Sequence, residues 1–146
     1  MKKILSLICA ILFTNSLVLA QHFNLNGFQY IVIDNGSVAV WSCYNNQDTV
    51  IIPDVVTFNN VKYTVVAIDG GAFMWRDDII SVIIPNTVTS IGQSAFHECE
   101  NLSSVVMPNS ITNIGNWAFT YCPNLTSFTI PDSVKHIGAA IFGSCT

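Results

Sequence analysis

The sequence predicts a repeat solenoid, mainly β, with a β-hairpin cap on its N-terminal side. Two patterns predict the solenoid and a third predicts the cap. Pro85, Pro108 and Pro131 stand 23 residues apart, as do Gly92, Gly115 and Gly138, Phe96, Phe119 and Phe142, and Cys99, Cys122 and Cys145. Apolar residues recur at matched places between them; in the middle unit these are Leu102, Val105, Met107, Ile111, Ile114, Ala118, Phe119 and Cys122. Residues 21–67 lack the period and carry hairpin signals instead. A fixed period of roughly 20–50 residues marks stacked coils, each too small to bury its own apolar face.

Local physics fixes the course of one coil. Val105 and Met107 alternate inward after Leu102, as a short strand requires. Pro108 has no amide donor and turns the chain with Asn109 and Ser110. Ile111 and Ile114 begin a second extended piece, and Gly115 is expected to permit a backbone bend. Residues 116–122 are expected to make a short helical or 3₁₀ turn with Ala118 and Phe119 inward. Ordering the backbone costs about 1–2 kcal/mol per residue. A buried apolar side chain returns about 1.5–3 kcal/mol, and only where a neighbouring coil covers it. A single coil therefore cannot stand alone.

A degenerate unit precedes the three full ones. Ile68, Ala72 and Phe73 lie one period before Ile91, Ala95 and Phe96, but the glycines shift to Gly70 and Gly71 and Arg76 takes the place of the cysteine. Terminal coils of a stack are expected to be atypical. The array thus spans residues 68–146. In the cap, residues 21–67, the segments 29–33 and 38–41 flank Asp34-Asn35-Gly36-Ser37 as a hairpin. Residues 48–52 read as a strand ended by Pro53. Residues 55–58 and 61–67 flank Asn59-Asn60 as a second hairpin.

Residues 1–20 read as a signal peptide. Lys2 and Lys3 precede an apolar run, and Ala20 supplies the small residue at the cut. Ser6, Thr14, Asn15 and Ser16 interrupt the run, short of the roughly 20 clean apolar residues of a span. Cys9 follows Ile8 and sits too early for lipid attachment. Cleavage leaves Lys62, Arg76 and Lys135 against nine carboxylates, a net charge of −6. Such a chain has no basic footprint for nucleic acid. No second apolar span follows, so no membrane span is expected after cleavage.

The pattern Leu-x-x-Val-x-Met-Pro-x-x-Ile-x-x-Ile-Gly-x-x-Ala-Phe-x-x-Cys, residues 102–122, resembles the BspA-like leucine-rich repeats of bacterial and protist surface proteins. The match covers residues 68–146 closely, and residues 50–73 look like the usual entry into such arrays. Ile141 departs from it by replacing the alanine. The resemblance implies a curved right-handed solenoid, a secreted or cell-surface location, and adhesion or recognition of an extracellular protein or glycan. It implies no catalytic residue.

Candidate chemistry is sparse. Equivalent cysteines of adjacent coils should lie about 5 Å apart, the inter-strand spacing, within disulfide reach. Each also stands where the motif wants a small buried residue, and thiols fill that role, so free thiols are expected. No Cys-x-x-Cys offers a zinc site. His22, His97 and His136 lack a partner nucleophile at an elbow. The repeat counterparts of His97 are Thr120 and Gly143, those of His136 are Ser90 and Asn113, and both positions are read as solvent-facing. Asp69, Asp77 and Asp78 lack the alternation of a calcium loop. Glu98 and Glu100 have no cleft between them for glycoside chemistry. No enzyme activity, cofactor or metal is expected. Asn101-Leu-Ser103 and Asn124-Leu-Thr126 match glycosylation sequons but recur through the repeat. Phe96, Phe119, Phe142 and Phe128 are core by phase, whereas Trp117 and Tyr121 replace small or polar residues and are the candidate partner-binding pair. The alternative is a purely structural module, or the N-terminal part of a larger surface protein. The final coil should present an apolar face, which is expected to mean that the chain is a fragment of a longer array, the alternative being end-to-end self-association with a second copy.

Overall fold

A computed structural model describes residues 21–126 and 128–145. The signal-peptide reading of residues 1–20 lies outside them. Among the described residues eleven strands build two sheets. The cap begins with β1 (His22–Leu25), β2 (Phe28–Val32) and β3 (Ser37–Cys43), an antiparallel meander. The β2–β3 hairpin turns at the predicted Asp34–Gly36 segment, where the Gly36 N–H donates to the Asp34 carboxylate at 2.9 Å. The β1–β2 hairpin went unread in the sequence; it turns on Asn26 and Gly27, both at positive φ, as a tight hairpin demands.

The segment read as cap already enters the solenoid. β4 (Thr49–Ile51) pairs in parallel with β7 (Ser81–Ile83), which pairs with β9 (Ser104–Val106). After the hairpin of β5 (Val55–Phe58) and β6 (Val61–Ile68), β6 runs parallel to both β3 and β8 (Ser90–Ile91). β8 continues through β10 (Asn113–Ile114) to β11 (His136–Ile137). One sheet thus runs unbroken from cap to last coil, and the other lines the opposite wall.

The core lies between the walls as ladders of like residues. Phe73, Phe96 and Phe119 are fully buried. They stack face to face with centroids 4.9 and 5.1 Å apart, and Phe142 continues the column at 6.0 Å. Ile68, Ile91 and Ile114 are buried on the unbroken sheet. Val105, Met107, Phe128 and Phe142 are only partly buried, contrary to the core assignment. They belong to the two coils that follow residue 101, and among the described residues Val105, on β9, has a strand neighbour, β7, on one side only.

Two local expectations need correction. Residues 116–122 form hydrogen-bonded turns without a helix, because Trp117 and Tyr121 sit at φ of 56° and 58°, which no right-handed helix accommodates. Gly115 is also not at left-handed φ. Its role is close approach: a Cβ there would stand 2.5 Å from the Gln93 nitrogen, and Gly92 and Gly138 face the preceding coil's backbone in the same way. Asp69, one period before Gly92, bears a side chain, and its amide donates to Val40 of the cap.

Gly115→Ala should therefore destabilise the protein by about 1–3 kcal/mol, the usual penalty of overpacking. Gly36→Ala, where the nearest atom to a new Cβ is 4.0 Å away, should stay within about 0.5 kcal/mol. Phe119→Ala should cost about 3–5 kcal/mol. Urea denaturation of the three variants checks the ranking.

Candidate functional site: the turn edge of the coils

Each coil closes through a turn that carries two left-handed residues. One ladder runs Gly71, Ser94, Trp117 and Ala140; the other runs Trp75, Glu98, Tyr121 and Ser144. Between them the chain bonds to the next coil: Phe73 N–H donates to Ala95 O at 2.8 Å, Phe96 N–H to Ala118 O at 2.8 Å, and Phe119 N–H to Ile141 O at 2.9 Å. The left-handed residues re-aim the backbone so that alternate amides point along the stack.

Side chains satisfy what the backbone leaves. The thiols of Cys99, Cys122 and Cys145 donate to the carbonyls of Phe73, Phe96 and Phe119, each at 3.0 Å. All four described cysteines are free thiols. Cys is thus the small apolar residue that still supplies a donor. Burial pushes the Cys99 thiol up to about 12 and the Cys122 thiol up to about 11. Arg76 does the equivalent work at the first turn. Its guanidinium donates to the carbonyls of Cys43 and Asn45 at the end of β3 and pairs with Asp78 at 2.7 Å. That pairing holds the Asp78 carboxyl below its ordinary value.

The sequon asparagines are structural. Asn101 Nδ2 donates to Asp77 O and Asn124 Nδ2 to Glu100 O, both at 2.7 Å.

Trp117 and Tyr121 are exposed, at 44% and 50%. The fold also places Trp75 on this edge, 67% exposed and two periods before Tyr121. It was missed because its coil is the degenerate one; extending the period across Arg76 would have found it. His97 corrects the solvent reading of its ladder. Its side chain is 20% exposed, its ring meets Tyr121 edge-on at 5.6 Å, and Thr120 in the next coil is buried. Thr120 tolerates burial because its hydroxyl donates to Ala140 O at 2.6 Å. His97 Nδ1 lies 3.3 Å from Glu98 Oε1, but without hydrogen-bond alignment. His136 is exposed, as expected. Among the described residues no group of three or more His, Cys, Asp or Glu is placed to hold a metal ion, and no helix is long and apolar enough to cross a membrane.

Residues 66–146 match the family described as BspA type leucine rich repeat region, in six copies. The chain belongs to this family. Solved structures of bacterial leucine-rich repeat proteins share its fold. A leucine-rich repeat protein from Bacteroides capillosus superposes with a TM-score of 0.78 at 26% identity, over 85% of this chain and 93% of that one. A leucine rich cell surface protein from Faecalibacterium prausnitzii gives 0.76 at 31% identity, over 82% of this chain and 33% of that one. A leucine-rich repeat protein from Bacteroides ovatus gives 0.73 at 30%, over 84% and 39%. The chain therefore spans about a third to two fifths of the length of the latter two. No protein of curated function matches it.

In this BspA-type array the cysteines should be inert in the native state. Iodoacetamide at pH 8 should leave Cys99 and Cys122 unmodified and alkylate both in denaturant, as mass spectrometry would show. The folded thiols titrate above the ordinary 9.0, so the stability they supply is complete below pH 9. It is lost as pH rises through about 11 to 12. In Cys99→Ala and Cys122→Ala the stability measured by urea denaturation should therefore fall less steeply between pH 9 and pH 11 than it does in the unaltered protein.

Proposed function

We propose that this chain is a secreted or cell-surface binding module that recognises an extracellular protein or glycan through the turn edge, and that it has no enzymatic role. One observation carries the reading. Trp75, Trp117 and Tyr121 are large, exposed and held at left-handed φ, a conformation that costs a bulky residue on the order of 1–3 kcal/mol. Gly71, Ser94, Ala140 and Ser144 fill the same ladders with small side chains, so the fold does not ask for aromatics there. Exposed Trp and Tyr on a rigid frame are the usual anchors of recognition. The family match and the cell-surface relative support an extracellular setting. The short coverage of two relatives supports a role within longer arrays.

The test is a pull-down of residues 21–146 against extracellular matrix proteins and a glycan array. Joint replacement of Trp117 and Tyr121 by serine should leave the melting temperature at or above wild type and weaken capture at least tenfold. Unchanged capture would remove the pair from the site. No capture by the wild-type chain would favour the structural-module alternative.

A further inference from the structure

The charge of the turn edge is uneven. Between residues 69 and 100 stand five carboxylates, Asp69, Asp77, Asp78, Glu98 and Glu100, against one arginine. Arg76 is engaged by Asp78 and by the carbonyls of Cys43 and Asn45. Residues 101–145 carry only Asp132 and Lys135. The acidic stretch surrounds Trp75, the most exposed large apolar side chain of the described residues at 67%.

The coils set the geometry. Trp75 N–H donates to His97 O at 3.0 Å, which seats Trp75 one coil from Glu98, whose side chain is 44% exposed. Two residues farther along the same coils, Glu100 N–H donates to the Asp77 carboxylate at 3.3 Å, and both residues are exposed. An indole face and three carboxylates thus share two adjacent coils, with a layer spacing of about 5 Å. A groove of about 550 Å³ opens beside Asp77, lined also by Asp78, Ile80, Asn101 and Asn124.

We infer that this corner takes cationic side chains of a partner protein, with an arginine or lysine laid on Trp75 and its charge met by Glu98, Asp77 and Glu100. The inference rests on the binding role proposed above and names the chemistry of the partner. Aromatic faces attract cations within about 6 Å, and a carboxylate rim adds to the attraction. A field of one sign also steers an oppositely charged partner. A neutral glycan could stack on the indole but would gain nothing from the net charge of the corner, so charge complementarity selects the basic polypeptide.

The test uses the indole N–H resonance of Trp75 in residues 21–146, assigned by Trp75→Phe. The probes are an octa-arginine peptide, an octa-glutamate peptide and a neutral oligosaccharide. The arginine peptide should shift the Trp75 resonance, and the other two should not. The affinity should fall at least tenfold in Glu98→Gln/Glu100→Gln and in Trp75→Ser. It should change less than twofold in Asp54→Asn/Asp132→Asn, which removes as much charge elsewhere, and it should weaken as salt rises. An arginine-peptide affinity that tracks total charge, with both double variants equal, would overturn the proposal. So would an unshifted Trp75. A shift with the oligosaccharide alone would overturn the cationic partner yet leave the binding role standing, whereas the pull-down above tests that role without reference to charge.

Discussion

Successive coils approach so closely that a single methyl group cannot stand between them at Gly92, Gly115 or Gly138. That distance governs the rest of the structure. It lets Gly115 N–H reach Ile91 O and Gly138 N–H reach Ile114 O, each at 2.8 Å. It brings the phenylalanine column to ring-stacking separation. It also buries the turn backbone, whose carbonyls then need donors. The thiols of Cys99 and Cys122 supply them from the neighbouring coil, and the amides of Asn101 and Asn124 and the hydroxyls of Ser110 and Ser133 add further bonds between coils. The consensus is therefore one packing problem solved once per turn.

The cap follows from the same constraint. A first coil has no predecessor to supply its partners. Here β3 supplies them: Asp69 N–H reaches Val40 O, and Ala72 O accepts from Cys43 N–H at 3.2 Å. A thiol is too short to reach the end of β3, and Arg76 spans the gap. The substitution that made this unit look degenerate is the joint between cap and array. It also leaves Trp75 beside a cluster of carboxylates whose single local cation is already spoken for.

Much of this was legible in the sequence because periodicity reports packing directly. The spacing of Phe96, Phe119 and Phe142 located the column, and Asp34-Asn35-Gly36 located a hairpin. The conformation at each position was less legible. Gly115 is needed for proximity to another coil, which no local reading of a glycine reveals. Left-handed φ at Trp117 and Tyr121 went unseen because bulky residues seldom adopt it. His97 looked solvent-facing because its counterparts are polar, yet the hydroxyl of Thr120 is satisfied inside. The exposed pair could be named from residues that break the repeat, while Trp75 lay hidden in the coil where the repeat itself breaks.

The central claim is that alternate amides of the turn edge are bonded along the stack to the next coil, while others, such as those of His97 and Thr120, are bonded within the turn. Amide hydrogen exchange measured residue by residue tests it most directly. Phe96, Glu98, Phe119 and Tyr121 donate to the next coil, so their amides should exchange orders of magnitude more slowly than that of Asn109 in the exposed proline turn. The slow set should recur at 23-residue intervals. Fast exchange at Glu98 and Tyr121, matching Asn109, would contradict the account.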